Sequence, residues 1–239
     1  MGTTDRLYII IPAYNEEDNI EEVVSGWHYV VASINAESRL CVIDDGSKDN
    51  TLAKLQELQD RYPKLEAITK KNGGHGSTIY FGYKHALENG ADYIFQTDSD
   101  GQTLPCEIDA FWNKRQNYDI QIGDRRGRQD GFSRIFVTKI LKLVVFFQFG
   151  VWSKDVNTPF RLMSSKSLYE IIQYVPSNHN LTNVLLTVFY HKKNKKIKYR
   201  NITFRPRQGG VNSINFKRIV NIGWKAVQDF ANITRNRRD

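Results

Sequence analysis

The segment Asp98-Ser99-Asp100-Gly101-Gln102 carries the residue types best suited to bind a metal ion. Its two aspartates stand two positions apart after an apolar stretch, where their charges repel one another unless a cation lies between them. Mg²⁺ and Mn²⁺ take oxygen ligands and commonly share them with substrate phosphates. Gln102 adds an amide oxygen. An Asp-x-Asp pair also occurs in loops without a metal, so position has to support the assignment.

Two other polar segments follow apolar runs in the same way. Asp44-Asp45-Gly46-Ser47 places Asp44 where an acidic residue can accept a hydrogen bond from a ribose or a base. The alternative is a turn before a helix whose N-terminus is capped by Asp49, Asn50 or Thr51. In the segment 12–16, Tyr14 could stack on a base, and Glu16 could hold a ribose or cap a helix. Neither a Gly-x-Gly-x-x-Gly nor a Walker lysine motif is present, which disfavours dinucleotide and P-loop sites.

The apolar periodicity predicts the elements that position these segments. Strands are predicted at 7–11, 40–43, 65–69 and 93–97, and they alternate with helices at 19–36, 51–61 and 77–87. This alternation predicts an α/β fold with a mostly parallel sheet and helices on both faces. Ligands bind beyond the carboxyl ends of such strands. The segments 12–16, 44–47, 70–76 and 98–102 are therefore expected along one edge.

The second half of the chain has a different pattern. A helix with a broad apolar face and a basic flank is predicted at 132–149, followed by a strand at 156–163, a helix at 181–191, a strand at 197–204 and a C-terminal helix at 216–233. The first of these helices has two interpretations: a core helix or dimer interface, or a helix lying on a membrane surface.

Composition and charge limit the classes of protein. The chain has 239 residues, 40% hydrophobic and 25% charged, which is expected to form one domain. Residues 192–239 hold 14 Lys/Arg and 2 Asp/Glu, a net charge of +12, and residues 1–191 carry −4. This basic end could attract nucleic acid, anionic lipid or a phosphorylated substrate. Aromatic residues are too sparse within it to form a base-stacking platform, so no nucleic-acid partner is expected.

Location follows from what the sequence lacks. Residues 141–152 form the longest apolar stretch, well short of the roughly 18 residues that span a bilayer. The N-terminal apolar run is too short for a signal peptide. Two cysteines, Cys41 and Cys106, do not make a disulfide framework or a spaced zinc motif, which favours a reducing compartment. We expect a cytoplasmic protein, with access to the cytoplasmic face of the membrane.

Four motifs in order resemble the inverting family 2 glycosyltransferases of GT-A fold. They are Pro-Ala-Tyr-Asn-Glu, Val-Ile-Asp-Asp-Gly-Ser, Lys-Asn-Gly-Gly-His-Gly and Gln-Thr-Asp-Ser-Asp-Gly-Gln, and the resemblance extends from residue 7 to about residue 163. It implies a single GT-A domain over 1–239 with a C-terminal helical extension. The nucleotide-sugar-binding half would be about 5–125, and the acceptor-side, membrane-proximal half about 126–239.

Within that family the chain is most similar to the polyprenyl-phosphate sugar transferases, the dolichol-phosphate mannose synthase group. Asp-Ser-Asp-Gly-Gln matches that group's metal motif, which implies Asp98, Asp100 and Gln102 as ligands of Mg²⁺ or Mn²⁺. Asp155-Val-Asn-Thr-Pro-Phe-Arg161 resembles its Asp-x-x-x-Gly-Phe-Arg segment, with Pro159 in place of glycine. Gly-Asp-Arg125 and the Arg205-Pro-Arg207 element resemble its phosphate-binding arginines.

The resemblance implies a UDP- or GDP-sugar as donor and a polyprenyl phosphate as acceptor. The implied catalytic residues are Asp100, Arg125, Arg207 and Asp155. The nucleotide-sugar would be held by a larger set, namely Pro12, Ala13, Tyr14, Glu16, Asp44, Lys70, Asp98, Ser99 and Arg205. Peripheral contact with a membrane is expected through 132–152 and the basic C-terminus, and a homo-oligomer is a further expectation.

The choice of acceptor depends on a general base. A sugar hydroxyl needs a base near it, whereas a lipid phosphate is already an anion. Residues 176–191, where such a base would be sought, contain no carboxylate. This favours a phosphate acceptor. Asp155 stays a candidate base, so transfer to a hydroxyl of a surface polysaccharide or oligosaccharide is the alternative.

Overall fold

A computed structural model describes residues 4–125 and 132–205, which form a mixed α/β fold around one seven-stranded sheet. The strands are β1 (Leu7–Ala13), β2 (Arg39–Asp44), β3 (Leu65–Thr69), β4 (Tyr93–Gln96), β5 (Ile120–Arg125), β6 (Arg161–Ser164) and β7 (Ile197–Ile202). The helices are α1 (Ile20–Ile34), α2 (Thr51–Arg61), α3 (His75–Glu88), α4 (Ile108–Trp112), α5 (Phe132–Phe149), α6 (Ser165–Ile172) and α7 (Thr182–Lys192).

The sheet order is β3-β2-β1-β4-β6-β5-β7. Four of its pairings are parallel, and β6 runs antiparallel to both of its neighbours, β4 and β5. Because β6 reverses direction between them, β4 and β5 point the same way. The carboxyl ends of β1, β2, β3, β4, β5 and β7 therefore lie at one edge of the sheet, where the polar segments were predicted to meet.

Apolar side chains cover both faces of the sheet. One face packs against α3, α6 and α7 through residues such as Ile79, Leu168 and Leu186. The other packs against α1, α2 and α4 through residues such as Trp27, Leu55 and Phe111. The predicted mostly parallel sheet with helices on both faces is confirmed.

The prediction is less accurate in the second half. Only the end of the strand predicted at 156–163 is a strand, β6 (Arg161–Ser164), because the residues before it form a loop around the Arg161 side chain. Both β5 and α6 were not predicted. Three predicted features lie outside the described residues: the C-terminal helix at 216–233, Arg207 and most of the basic C-terminus. The division of the domain near residue 125 stays a prediction.

Candidate active site

A cavity of about 390 Å³ lies at the carboxyl ends of β1, β2, β3 and β4. Its walls come from the segments that follow these strands and from the start of α3. The residues lining it are Pro12, Ala13, Tyr14, Glu16, Asp45, Asn72, Gly74, His75, Thr78, Asp98, Ser99 and Asp100. Six predicted nucleotide-sugar residues, Pro12, Ala13, Tyr14, Glu16, Asp98 and Ser99, thus face one cavity, together with Asp100.

Hydrogen bonds join the loops that follow β1 and β2. The Ser47 hydroxyl accepts from the Asn15 backbone N–H at 3.0 Å, and the Lys48 N–H donates to Asn15 Oδ1 at 2.8 Å. The Glu16 N–H donates to Thr51 Oγ1 at 2.9 Å. Asn15 takes a φ of 54°, a left-handed conformation that asparagine tolerates better than most residues. These bonds fix the backbone that presents Tyr14 and Glu16 to the cavity.

The two adjacent aspartates after β2 have different environments. Asp44 ends the strand, and its carboxylate accepts from Thr69 Oγ1 at 2.8 Å and from the Ser47 N–H at 3.1 Å. It is not among the cavity-lining residues. Asp45 lines the cavity instead, although Asp44 was the residue predicted to do so. The sequence pointed to Asp45 only by placing it directly after Asp44.

Asp45 organises the wall formed by residues 70–74. Its carboxylate accepts from Lys70 Nζ at 2.5 Å, from the Gly73 N–H at 2.9 Å and from the Gly74 N–H at 2.8 Å. Burial raises the pKa of Asp45, but the bonds from Lys70, Gly73 and Thr78 outweigh it and hold the pKa below its ordinary value. Lys70, predicted to bind the donor, is therefore paired with Asp45.

The Asp98-Ser99-Asp100 segment, which follows β4, forms another wall of the cavity. Asp98 Oδ1 lies 3.0 Å from His75 Nε2, and the Gln102 N–H donates to Asp100 Oδ1 at 3.2 Å. Gly101 takes a φ of 69°, which makes this tight turn possible. Burial lowers the pKa of His75, but the negative charges of Asp98, Asp100 and Asp45 raise it, and the net pKa is above its ordinary value.

Gln102 joins this segment to the chain after β7. Its Nε2 donates to the Arg205 carbonyl at 2.8 Å, and the Arg205 N–H donates to the Gln102 carbonyl at 2.9 Å. The Gln102 side chain is buried and does not line the main cavity. Arg205 lines a second, smaller cavity of about 130 Å³, which also contains Glu22 and Trp27. Gln102, the last residue of the metal motif, and Arg205 thus bind one another outside the main cavity.

Arg125 and Asp155, both predicted to be catalytic, form a buried ion pair with one another. Asp155 Oδ2 accepts from Arg125 Nε at 2.7 Å, and Oδ1 accepts from Nη2 at 3.1 Å and from the Asn157 N–H at 3.1 Å. The Arg125 guanidinium also lies 5.0 Å from the centre of the Phe204 ring. Arg125 ends β5 at the same sheet edge as Asp98, but neither member of the pair lines the cavity.

The family model described as glycosyl transferase family 2 matches residues 8–172. The chain belongs to this family of glycosyltransferases. The UDP-N-acetylglucosamine–dolichyl-phosphate N-acetylglucosaminyltransferase of Methanococcus voltae is 30% identical over 184 residues, which cover 68% of this chain and 70% of that protein. The undecaprenyl-phosphate 4-deoxy-4-formamido-L-arabinose transferase of Shewanella sediminis is 32% identical over 161 residues, 66% of this chain and 47% of that protein.

Solved structures agree on the fold of this glycosyltransferase. The glucosyl-3-phosphoglycerate synthase of Mycobacterium tuberculosis, in complex with phosphoglyceric acid, superposes with a TM-score of 0.69 at 15% identity, covering 96% of this chain and 80% of that chain. The same enzyme with Mn²⁺ and UDP-glucose gives a TM-score of 0.67. The predicted GT-A fold and family are confirmed.

Two further facts bear on the extent of the glycosyltransferase. The chain spans less than half the length of the undecaprenyl-phosphate relatives, between 43% and 47%. In the part of the chain that the structure describes, no helix is both long enough and apolar enough to cross a bilayer.

The cavity of the glycosyltransferase offers donors suited to a hard divalent cation. Asp98 and Asp100 both face it, and two carboxylates are the usual protein share of a Mg²⁺ site that is completed by substrate phosphates and water. Asp98, with a side chain 27% exposed, is accessible from the cavity. The third predicted ligand, Gln102, has its amide nitrogen bound to Arg205. This bond uses the nitrogen and leaves the amide oxygen, the atom that would bind a metal, but Gln102 does not line the cavity as the two aspartates do.

Proposed function

We propose that this glycosyltransferase moves a sugar, with inversion, from a UDP- or GDP-sugar to a polyprenyl phosphate in a divalent-metal-dependent reaction. The observation that carries the proposal is the cavity in which the two aspartates of the metal motif face the loops that follow β1 and β2. The relatives named for dolichyl-phosphate and undecaprenyl-phosphate acceptors support the choice of acceptor.

The side chains that line the cavity support binding of the nucleotide-sugar donor. Tyr14, with an exposed ring, can stack on a base, and Glu16 and Asp45 can accept hydrogen bonds from a nucleoside. The diphosphate then lies toward Asp98 and Asp100, which would hold Mg²⁺ or Mn²⁺. Such an ion, when bound, neutralises the charge that develops on the leaving diphosphate. Without it, the two carboxylates would repel the diphosphate.

The acceptor attacks the anomeric carbon from the face opposite the leaving diphosphate, so that one C–O bond forms as the other breaks. A phosphate monoester supplies an anionic oxygen and needs no base to remove a proton. Both carboxylate oxygens of Asp155 are engaged with Arg125 and the Asn157 N–H, and residues 176–191 contain no carboxylate. These observations favour phosphate over hydroxyl. We assign Arg125, which Asp155 holds in place, to phosphate binding, because a guanidinium pairs bidentately with phosphate oxygens. The sequence motif alone supports the same role for Arg207.

The acceptor test compares two lipids that differ only at the reacting group. Undecaprenyl phosphate and undecaprenol are offered with a panel of UDP- and GDP-sugars and Mg²⁺ or Mn²⁺, and lipid-linked sugar is measured by mass spectrometry. Product from the phosphate alone is expected. Product from undecaprenol, with none from the phosphate, would support the hydroxyl alternative. In that case Asp155→Asn should abolish turnover and leave donor binding intact.

The metal test uses a matched pair of carboxylates. Asp100→Ala is expected to reduce turnover at least 100-fold, and EDTA should do the same to the wild type. Asp109→Ala removes an exposed aspartate on α4 and should leave turnover unchanged. Full turnover in EDTA, or in Asp100→Ala, would contradict the metal assignment.

We also propose that the end of α5 contacts the membrane that holds the acceptor. Val145 and Phe149 are buried in the core, whereas Phe146, Phe147 and Trp152 are exposed. The three exposed rings pack on one another: the centre of the Phe146 ring lies 5.6 Å from that of Phe147 and 5.7 Å from that of Trp152. Lys139 and Lys154 flank this aromatic patch and are exposed. Apolar insertion combined with attraction to anionic lipid gives stable peripheral binding.

Co-sedimentation with vesicles tests the aromatic patch. Wild-type protein is expected to bind vesicles that contain phosphatidylglycerol and to bind neutral vesicles less. Phe147→Ser with Trp152→Ser should weaken binding about tenfold or more, whereas Tyr29→Ser, which removes another highly exposed aromatic ring on α1, should not. Absence of binding at low salt would contradict the proposed membrane contact. A concentration-dependent dimer that the double substitution disrupts would show that the patch binds a second copy of the chain instead.

A further inference from the structure

Cys41, Glu66 and His85 form a compact cluster away from the donor cavity. Cys41 and Glu66 are register partners on the adjacent parallel strands β2 and β3, so their side chains leave the same face of the sheet. His85 reaches them from α3, which packs on that face. Among the described residues this is the one group of three or more His, Cys, Asp or Glu side chains whose ligand atoms all lie within 4.8 Å of one another.

The distances within the cluster are close to those of a metal site. The Cys41 thiol donates to Glu66 Oε2 at 3.3 Å, and His85 Nε2 lies 2.8 Å from the same oxygen. With metal bonds of about 2.3 Å to sulfur and about 2.0 Å to nitrogen or oxygen, a tetrahedron places sulfur about 3.5 Å from the carboxylate oxygen and nitrogen about 3.3 Å from it. Shifts of about half an ångström would therefore suffice for these two pairs, and the third pair, Cys41 Sγ and His85 Nε2, lies within 4.8 Å.

The donor set and its charge select the kind of ion. Thiolate, imidazole and carboxylate together are the ligands of Zn²⁺ and of ions with similar preferences, whereas Mg²⁺ avoids sulfur. A thiolate, a carboxylate and a neutral imidazole balance the charge of one divalent ion. Arg39 Nε lies 3.6 Å from Glu66 Oε1 and so orients the carboxylate with Oε2 toward the other two ligands.

Access to the cluster is open on one side. Cys41 is fully buried, but the side chains of Glu66 and His85 are 32% and 26% exposed. The strand that carries Glu66, β3, is at the edge of the sheet. An ion can therefore enter from this edge, and a water can complete its coordination.

We propose that Cys41, Glu66 and His85 bind one divalent transition-metal ion of the Zn²⁺ class, which ties α3 to β2 and β3. His75 and His85 are ten residues apart on α3, about 15 Å along its axis. The ion would thus anchor the far end of the helix whose first turn lines the donor cavity. This site is separate from the oxygen donors Asp98 and Asp100 and does not depend on the proposed reaction.

Cobalt is the probe that distinguishes the two sites. The full chain, reduced and metal-free, is titrated with Co²⁺, and the thiolate-to-cobalt charge-transfer band in the near ultraviolet is measured. One equivalent is expected to produce the band in the wild type. The band should persist in Asp98→Asn, whose site offers no sulfur, and in Cys106→Ser, which removes the exposed second cysteine. It should be lost in Cys41→Ala and in Glu66→Gln.

A stability measurement completes the test. A hundredfold excess of Zn²⁺ over its dissociation constant should raise Tm of the wild type by about 5 °C. Glu66→Gln, a near-isosteric change at a partly exposed position, should fold and lose this rise, so the test survives if Cys41→Ala does not fold. No charge-transfer band in the wild type, or a band lost in Cys106→Ser and kept in Glu66→Gln, would overturn the proposal.

Discussion

Replacing Asp45 with asparagine tests the electrostatic support of the donor cavity. The Asp45 side chain is 5% exposed and that of Lys70 is 16% exposed, so the substitution leaves a mostly buried cation without its partner. Removing one member of a buried ion pair costs about 3–5 kcal/mol. Lys70 keeps contacts with the Lys71 carbonyl at 3.0 Å and Thr78 Oγ1 at 3.3 Å, which favours the lower end, about 3 kcal/mol.

The same substitution also disturbs two backbone bonds. Asparagine offers one oxygen where the Asp45 carboxylate accepts from both the Gly73 and Gly74 N–H groups, so one buried donor faces an amide nitrogen. An unsatisfied buried donor adds about 1 kcal/mol or more. With an unfolding entropy of about 0.5 kcal/mol/K for a chain of this length, a total near 4 kcal/mol lowers Tm by about 8 °C. Donor affinity should fall about tenfold or more because Asn72 and Gly74 line the cavity.

The pH dependence follows from the sign of the pKa shift. The pKa of Asp45 is lower in the folded protein than its unfolded value of 3.8, so its stabilising contribution is fully present above pH 3.8 and is lost as the pH falls through the folded pKa. The difference in Tm between wild type and Asp45→Asn should therefore be constant from about pH 5 to 8 and shrink below pH 3.8. Calorimetry at these pH values measures it.

Asp44→Asn is the matched control. Asp44 is equally buried, and the described donors to its carboxylate, Thr69 Oγ1 and the Ser47 N–H, are neutral. Its replacement should cost about 1 kcal/mol, or about 2 °C in Tm. Equal losses in the two variants, or an Asp45→Asn protein within 2 °C of wild type at pH 7, would refute the reasoning that the cation makes the difference.

Three other substitutions test packing and pairing around the site. Gly76→Ala should lower Tm by about 6 °C and weaken donor binding, since an added Cβ would lie 2.2 Å from the His179 carbonyl oxygen; unchanged calorimetry would contradict this close contact. Arg161→Met should cost about 3 kcal/mol in urea unfolding, because the buried guanidinium donates to the Thr158 and Asn183 carbonyls. A double-mutant cycle of Asp45→Asn with Lys70→Met should give a coupling above 1 kcal/mol; additive losses would mean the pair is not coupled.

Local patterns predicted most of the first half of the fold. Buried strands such as β1 are continuous apolar runs, and helices such as α1 repeat apolar residues every three or four positions, so both are readable without tertiary information. β5 escaped prediction because only Ile120 and Ile122 alternate within it. α6 has only eight residues, too few for a clear period. The strand predicted before β6 failed because burial in the loop 155–160 produces the same apolar pattern as a strand.

The sequence by itself determined which segments surround the cavity, because strands that alternate with helices must bring their carboxyl ends to one edge. Only the tertiary structure decided which side chains face it. Asp45 lines the cavity and Asp44 does not, since neighbouring residues at a strand end point in different directions. Arg125 pairs with Asp155, 30 positions away in the sequence, and Cys41 on β2 lies beside His85 on α3. Such contacts depend on how the elements pack, and no spacing along the chain records that.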